Sequence, residues 1–153
     1  MVYISRVELW GEVWEITASE WGVTGLSRAC SHVLALENDH TAKAAAELLE
    51  YAAGIRRQFT VPLDLAGTSF QKQVWEQLMT IPYGTAVSYS QVAREIGRPK
   101  AVRAVARAIG ANPCLIFVPC HRVLGKDGSL TGFSAGIDLK ERLLQLEKIP
   151  YQS

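Results

Sequence analysis

Ser88-Tyr-Ser-Gln-Val-Ala-Arg-Glu-Ile-Gly97, then Arg98 and Pro99, then Lys100-Ala-Val-Arg-Ala-Val-Ala-Arg-Ala-Ile-Gly110, is the stretch from which the fold can be read. Ser88 and Gln91 have the spacing of a capping box and open a short helix that Gly97 closes. Pro99 is tolerated in a first helical turn, so the next helix is predicted from about Lys100 to Ile109, stopped by Gly110. Two short helices joined through Gly-Arg-Pro read as a helix-turn-helix. At about 100° per residue, Lys100, Arg103 and Arg107 share a sector roughly 60° wide. Ala104, Ala108 and Ala111 fill the adjoining sector, and Val102, Val105 and Ile109 face a core on the other side. Small residues beside cations let a backbone approach a phosphate-lined surface, which suits shape reading or minor-groove approach. A solvated Arg/Lys face is the competing interpretation.

Upstream, Thr68-Ser-Phe-Gln71 is another capping box, Phe70, Val74, Trp75 and Leu78 form an apolar stripe, and Pro82-Tyr-Gly84 stops that helix. Leu65-Ala-Gly-Thr-Ser69 marks the boundary between two modules, residues 1–67 and 68–153. In the first, Val2–Trp10, Glu12–Ala18 and Val23–Arg28 are rich in strand formers and punctuated by Gly11 and Gly22, as an antiparallel meander would be. Asn38 or Asp39 caps a helix with Ala44, Ala45, Leu48, Leu49 and Ala52 on its apolar face, and Gly54 ends it. Phe59 to Leu65 alternate as an edge strand or extended linker. The expected fold class is an α/β (α+β) N-terminal domain with a small antiparallel sheet, followed by an all-α domain of winged helix-turn-helix type.

The 153 residues are 48% hydrophobic and 20% charged, a globular composition that excludes wholesale disorder. No apolar run approaches the roughly 18 residues of a membrane span, and charges come too early for a signal peptide. Three cysteines, an odd number, make no disulfide framework, so a reduced, cytoplasmic protein is expected. The net charge of +1 hides an asymmetry: residues 1–67 carry five basic and nine acidic side chains, residues 68–153 eleven and six. That split suggests a polyanion facing the second module.

Leu115-Ile-Phe-Val-Pro-Cys-His-Arg-Val-Leu124 carries the chemistry. A thiol is a nucleophile once ionised, and a nearby base or cation favours ionisation; His121 and Arg122 could both serve Cys120. Neighbouring residues in extended chain point to opposite faces, so contact between His121 and Cys120 needs a bridging water or a sharp turn after Pro119. The alternative, a buried packing cysteine, stays open for Cys120 and is the reading for Cys30 and Cys114. Cys30, His32, His40, Cys114, Cys120 and His121 show no metal-site spacing, so no metal is expected.

Val118-Pro-Cys-His-Arg-Val123 resembles the active-site motif of the O6-alkylguanine-DNA alkyltransferases (methylated-DNA–protein-cysteine methyltransferases). Gly67-Thr-Ser-Phe-Gln71, Val74-Trp75, Ile81-Pro-Tyr-Gly84, Ser88-Tyr89, Arg103-Ala-Val105, Asn112-Pro113, Gly132-Phe-Ser134 and Leu143-Leu-Gln-Leu-Glu147 follow in family order, covering the second module. The first module resembles the family's N-terminal domain more loosely. The resemblance implies irreversible, single-turnover transfer of an alkyl group to Cys120 from O6-alkylguanine in double-stranded DNA, with O4-alkylthymine a second candidate substrate. His121 would relay a proton through water, Glu147 would hold its tautomer, and Asn112 would be the hinge before the active-site segment. An acid at a helix C-terminus opposes the dipole, which gives Glu147 a reason to be there beyond the helix itself. Arg103 would fill the gap left by a flipped base, flanked by Lys100, Ala104 and Arg107. Tyr89, Phe133 and Ser134 would hold the base, with Phe133 standing where tyrosine is usual. A monomer without cofactor is expected, cooperative assembly on DNA being left open. Tryptophan replaces the cysteine in the family's non-transferring, lesion-binding relatives, and Cys120 argues against that class. The rival from another class is a non-catalytic helix-turn-helix regulator, with a cysteine hydrolase behind it.

Overall fold

Alternating apolar residues at the start of the chain produce β1 (Tyr3–Leu9), β2 (Glu12–Ala18) and β3 (Val23–Ser27), an antiparallel sheet in that order. The β1–β2 hairpin closes on two residues, Trp10 and Gly11, both with positive φ (53° and 79°). That is the primed turn whose twist matches its strands. The computed structural model describes the whole chain except residues 29, 30, 131, 132, 134 and 153.

Helix α1 (Asp39–Ala52) packs on β1 and β2. Asn38 is its cap, and Thr41 completes the box from the other side: Asn38 Oδ1 accepts from Thr41 N at 2.9 Å, and Thr41 Oγ1 from Asn38 N at 3.1 Å. Ala44, Leu48 and Tyr51 are buried, whereas Leu49 is 48% exposed, so the buried stripe runs through Tyr51 and not Leu49. Glu47 is buried on the same face, where its carboxylate accepts from Thr60 N (2.9 Å) and Val61 N (3.2 Å). After this, the chain bridges the sheet in parallel at Leu63, opposite Val23, with Val23 N donating to Pro62 O at 2.8 Å and Asp64 N to Val23 O at 2.7 Å.

The chain divides into two compact units, one of Met1–Ala66 with Pro113–Phe117 and one of Gly67–Asn112 with Val118–Ser153. The five residues 113–117, read from sequence as part of the second module, therefore group with the first. Leu26 N donates to Pro113 O at 3.1 Å, Cys114 bridges Leu26, and the Phe59 and Phe117 rings lie 4.4 Å apart. Ile116 has φ 72°, and Phe117 N donates to Leu115 O at 2.8 Å. That geometry is the rare γ-turn, strained for a β-branched residue.

In the second unit, α2 (Ser69–Leu78) is capped by Thr68 with the full Thr68/Gln71 box. Val74, Trp75 and Leu78 are buried, and Trp75 Nε1 donates to Ala108 O at 2.8 Å. Gly67 is required there: a Cβ on it would lie 2.7 Å from the Trp75 ring. Helix α3 (Tyr89–Glu95) is capped by Ser88, whose hydroxyl accepts from Gln91 N at 3.1 Å. Helix α4 (Val102–Gly110) begins later than the sequence suggests. Ala101 N donates to Arg98 O at 2.9 Å, so Pro99 and Lys100 form a turn ahead of the helix and Lys100 is not on its face. Arg103 and Arg107 are on the helix and exposed; Ala104 is half-buried, and Ala108, placed outward by the wheel, is only 3% exposed. Besides helices the unit has a parallel ladder of β4 (Val87–Ser88) with β5 (Val123–Leu124), closed by α5 (Ile137–Leu146). Among the described residues no helix is long and apolar enough to cross a membrane.

Candidate active site

Pro119 sets the direction of the reactive segment. Its φ of −79° and ψ of 61°, with Cys120 N donating to Val118 O at 2.7 Å, form an inverse γ-turn. Cys120–Arg122 then wind as one 3-10 turn. The sharp bend that Cys120 and His121 need is therefore present, and both are buried, 2% and 0% exposed.

Asn112, just past the end of α4, reaches this turn from the other side. Its Nδ2 donates to Val118 O at 3.0 Å and to Cys120 Sγ at 3.2 Å. Burial pushes the Cys120 thiol up to about 11, against the opposite pull of the Asn112 amide and of the Lys140 ammonium. At rest the sulfur is a thiol, and its proton needs an acceptor.

His121 is next in the chain. Its Nε2 lies 2.6 Å from Glu147 Oε2, and its Nδ1 is buried without a hydrogen-bond partner among the described protein groups. Burial holds the imidazole below its ordinary value; Arg122 and Lys140 act in the same direction, and Glu147 acts against them. His121 is thus a neutral base at neutral pH.

Glu147 is placed by the way α5 ends. Lys148 turns left-handed (φ 59°), Lys148 N donates to Gln145 O at 3.1 Å, and Ile149 N donates to Leu144 O at 2.9 Å. This Schellman motif seats Ile149 against Leu144 and Leu124 and leaves Glu147 as the cap. Its carboxylate also accepts from Gly84 N at 3.1 Å, and from Arg122 Nε at 2.8 Å and Nη2 at 3.1 Å. These donors offset the unfavourable helix dipole.

Two cations belong to the site in ways sequence reasoning missed. Arg122 serves Glu147, not Cys120; its Nη1 donates to Ile81 O at 2.7 Å and its guanidinium lies 5.7 Å from the Tyr83 ring. Lys140, fully buried, donates to Val123 O at 2.8 Å and sits 5.6 Å from the Phe133 ring. Burial lowers it to about 8, with Cys120 pulling the other way. Its signal was the helical wheel: Lys140 shares the buried face of α5 with Leu139, Leu143 and Leu144, two turns before Glu147.

Tyr89 opens α3 and is half-buried, and Phe133 is half-buried beside Lys140. Ser134 lies outside the described residues. Arg103 and Arg107 stand exposed on α4 with Ala104 between them, and Lys100 is exposed in the turn before it. Cys114 is fully buried and bridged to Leu26, as a packing residue is. No group of three or more His, Cys, Asp or Glu side chains able to hold a metal exists among the described residues.

Residues 69–149 match the family model described as 6-O-methylguanine DNA methyltransferase, DNA binding domain. The inducible methylated-DNA–protein-cysteine methyltransferase of Bacillus subtilis (strain 168) is 53% identical over 116 residues, 76% of this chain and 65% of that protein. The chain thus spans slightly under two thirds of the length of that relative. Among solved structures, Mycobacterium tuberculosis O6-methylguanine methyltransferase superposes with a TM-score of 0.87 at 39% identity, covering 97% of this chain and 93% of that one. The M. tuberculosis OGT in complex with DNA gives the same TM-score of 0.87 and 39% identity, over 95% and 93%.

Proposed function

The chain belongs to the 6-O-methylguanine DNA methyltransferase family, and on that premise we propose that it repairs DNA by taking the alkyl group of O6-alkylguanine onto Cys120. The sulfur attacks the alkyl carbon in line, the S–C bond forms as the C–O bond breaks, and the guanine leaves with the electron pair. The lesion supplies electrophile and leaving group, so no cofactor enters. A thioether does not hydrolyse under mild conditions, so each molecule acts once.

Each side chain then has one task. Cys120 loses its proton through one water to His121 Nδ1, the ring nitrogen with no protein partner. Glu147 holds the other nitrogen, so the ring accepts at Nδ1 and the resulting imidazolium meets a carboxylate. Asn112 and Lys140 steady the thiolate, one by hydrogen bond and one by charge. The proton returns to the departing guanine; Tyr89 is the side chain that would donate to the base, and Phe133 lines the pocket without a hydroxyl.

The target oxygen lies on a stacked base, so the nucleotide must leave the duplex to reach so enclosed a sulfur. Arg103, exposed on α4, fills the vacated stack; Arg107 and Lys100 hold phosphates, and Ala104 lets the helix close on the minor groove. A reactive thiol must stay reduced, which supports a cytoplasmic setting. What carries the reading is the buried run Asn112–Cys120, His121–Glu147 in a chain of this family.

The test is intact-mass spectrometry after incubation with an O6-methylguanine duplex. The expected result is one methyl per protein, on the Cys120 peptide, with a burst equal to protein concentration. Continued turnover, or a label on Cys114, sinks the proposal. Cys120→Ser is expected to keep DNA binding and lose transfer.

A further inference from the structure

Arg122 is a buried cation whose direct partner is not the nucleophile. Its guanidinium grips both oxygens of Glu147, Nε on Oε1 at 2.8 Å and Nη2 on Oε2 at 3.1 Å, while Nη1 is anchored on Ile81 O at 2.7 Å. Tyr83 covers it, fixed in turn by a hydrogen bond from its hydroxyl to Leu146 O at 3.3 Å. The planar fork fits a carboxylate in one orientation only, so the plane of Glu147 is set by Arg122. Oε2, the oxygen nearest His121 Nε2, is one of the two so held.

The charges around His121 are Lys140 from α5, Glu147 at its cap, and Arg122 and Cys120 from its own turn; the Tyr83 ring lies across from Arg122. A bare carboxylate at 2.6 Å would draw a second proton onto the imidazole and make an ion pair of it. His121 would then carry hydrogen on both nitrogens and could accept nothing from Cys120. With Arg122 bound, Glu147 is already neutralised, and the ring needs to donate only one hydrogen bond.

We propose that Arg122 is a positioning residue that, by occupying both oxygens of Glu147, keeps His121 neutral, protonated at Nε2 and open at Nδ1. This deepens the alkyl-transfer reading and rests on it for its catalytic meaning, although the charge arrangement stands on the geometry alone.

The experiment is an NMR titration of the His121 ring nitrogens, together with single-turnover methyl transfer across pH, in the whole chain. In the unsubstituted protein His121 is expected as the neutral Nε2–H tautomer at pH 7. In Arg122→Met its midpoint is expected to rise by about 1–3 pH units, with transfer at neutral pH down about tenfold and recovering at alkaline pH. In the double variant Arg122→Met/Glu147→Gln the midpoint should fall back, because the unscreened carboxylate has gone. Arg122→Lys, which keeps the charge and loses the fork, should hold the midpoint and lower transfer equally at every pH. An imidazolium at pH 7 in the unsubstituted protein overturns the proposal, and so does an unmoved midpoint in Arg122→Met. If Arg122→Met does not fold, Arg122→Gln replaces it, since the amide still donates to Glu147 without charge, and the same rise is required. A protein that titrates as stated but transfers no methyl group would remove the repair reading and leave the charge arrangement intact.

Discussion

Asn112 and Cys120 are joined by a hydrogen bond from Nδ2 to Sγ at 3.2 Å, and the same amide nitrogen donates to Val118 O at 3.0 Å. One side chain therefore fixes the turn and biases the sulfur toward its ionised form. Asn112→Ala is expected to cost about 1–3 kcal/mol by leaving the buried Val118 carbonyl with only its γ-turn donor and Sγ with none from this side, and to slow transfer while leaving DNA affinity unchanged. Asn112→Asp should transfer more slowly still, since a carboxylate beside Sγ opposes the thiolate. Denaturant titration and single-turnover rates check both.

The His121–Glu147 pair gives a pH dependence with a definite sign. His121 is held below its ordinary value of 6.5, so its base form persists through neutrality. Below about 8, where Lys140 is charged, transfer should be level down past 6.5 and decline only beyond it, as the ring takes up a proton. Stability follows the same direction. Below 6.5 the unfolded chain binds a proton that the folded ring resists, so stability falls as pH drops. A rate that already halves at 6.5 would contradict this. Glu147→Gln is expected to lower transfer on the order of 10²-fold or more, by losing the tautomer control.

Lys140 is charged at neutral pH and loses its proton at about 8. Lys140→Met should slow transfer at pH 7 about tenfold, because the thiolate loses a buried cation, while binding of undamaged DNA is unchanged. Rates for the substituted and unsubstituted proteins should converge above about 8, where the amine is neutral in any case.

Lys148 holds the left-handed position after α5 with φ 59°, where glycine is free of strain. Lys148→Gly is expected to stabilise the protein by up to about 1 kcal/mol and to leave transfer untouched. A melting curve of the exposed-site variant measures it.

Ile116 and Ile16 are both fully packed, 1% and 0% exposed, but only Ile116 has a positive φ. Replacing each by glycine removes the same buried side chain. Ile116→Gly should therefore cost about 1–2 kcal/mol less than Ile16→Gly, the strain released by the γ-turn. Equal losses would mean that the turn stores nothing.

Local chemistry was the most legible part of the fold. Asn38, Thr68 and Ser88 cap the helices they were expected to cap, because each side chain answers to backbone donors two or three residues away. Helix α4 starts later than its sequence suggests because Pro99 suits a turn as well as a first helical position, and nothing local decides between them. Ile116 gave no warning, since a β-branched residue in an apolar run reads as extended chain. The residue types of the site were visible through the motif around Cys120. The pairing of Arg122 with Glu147 was not, because it joins groups 25 positions apart and depends on where α5 stops.

The route of the chain through residues 113–117 bears on how this protein can be dissected. Leu115, Ile116 and Phe117 are 7%, 1% and 2% exposed, and they are packed with Met1–Ala66, immediately ahead of the reactive turn. Deleting the first 66 residues is expected to strip the cover from an oily loop that leads straight to the sulfur. The two parts of this polypeptide are consecutive in most of their length, yet five residues of the second half belong to the first unit, so no single cut separates them.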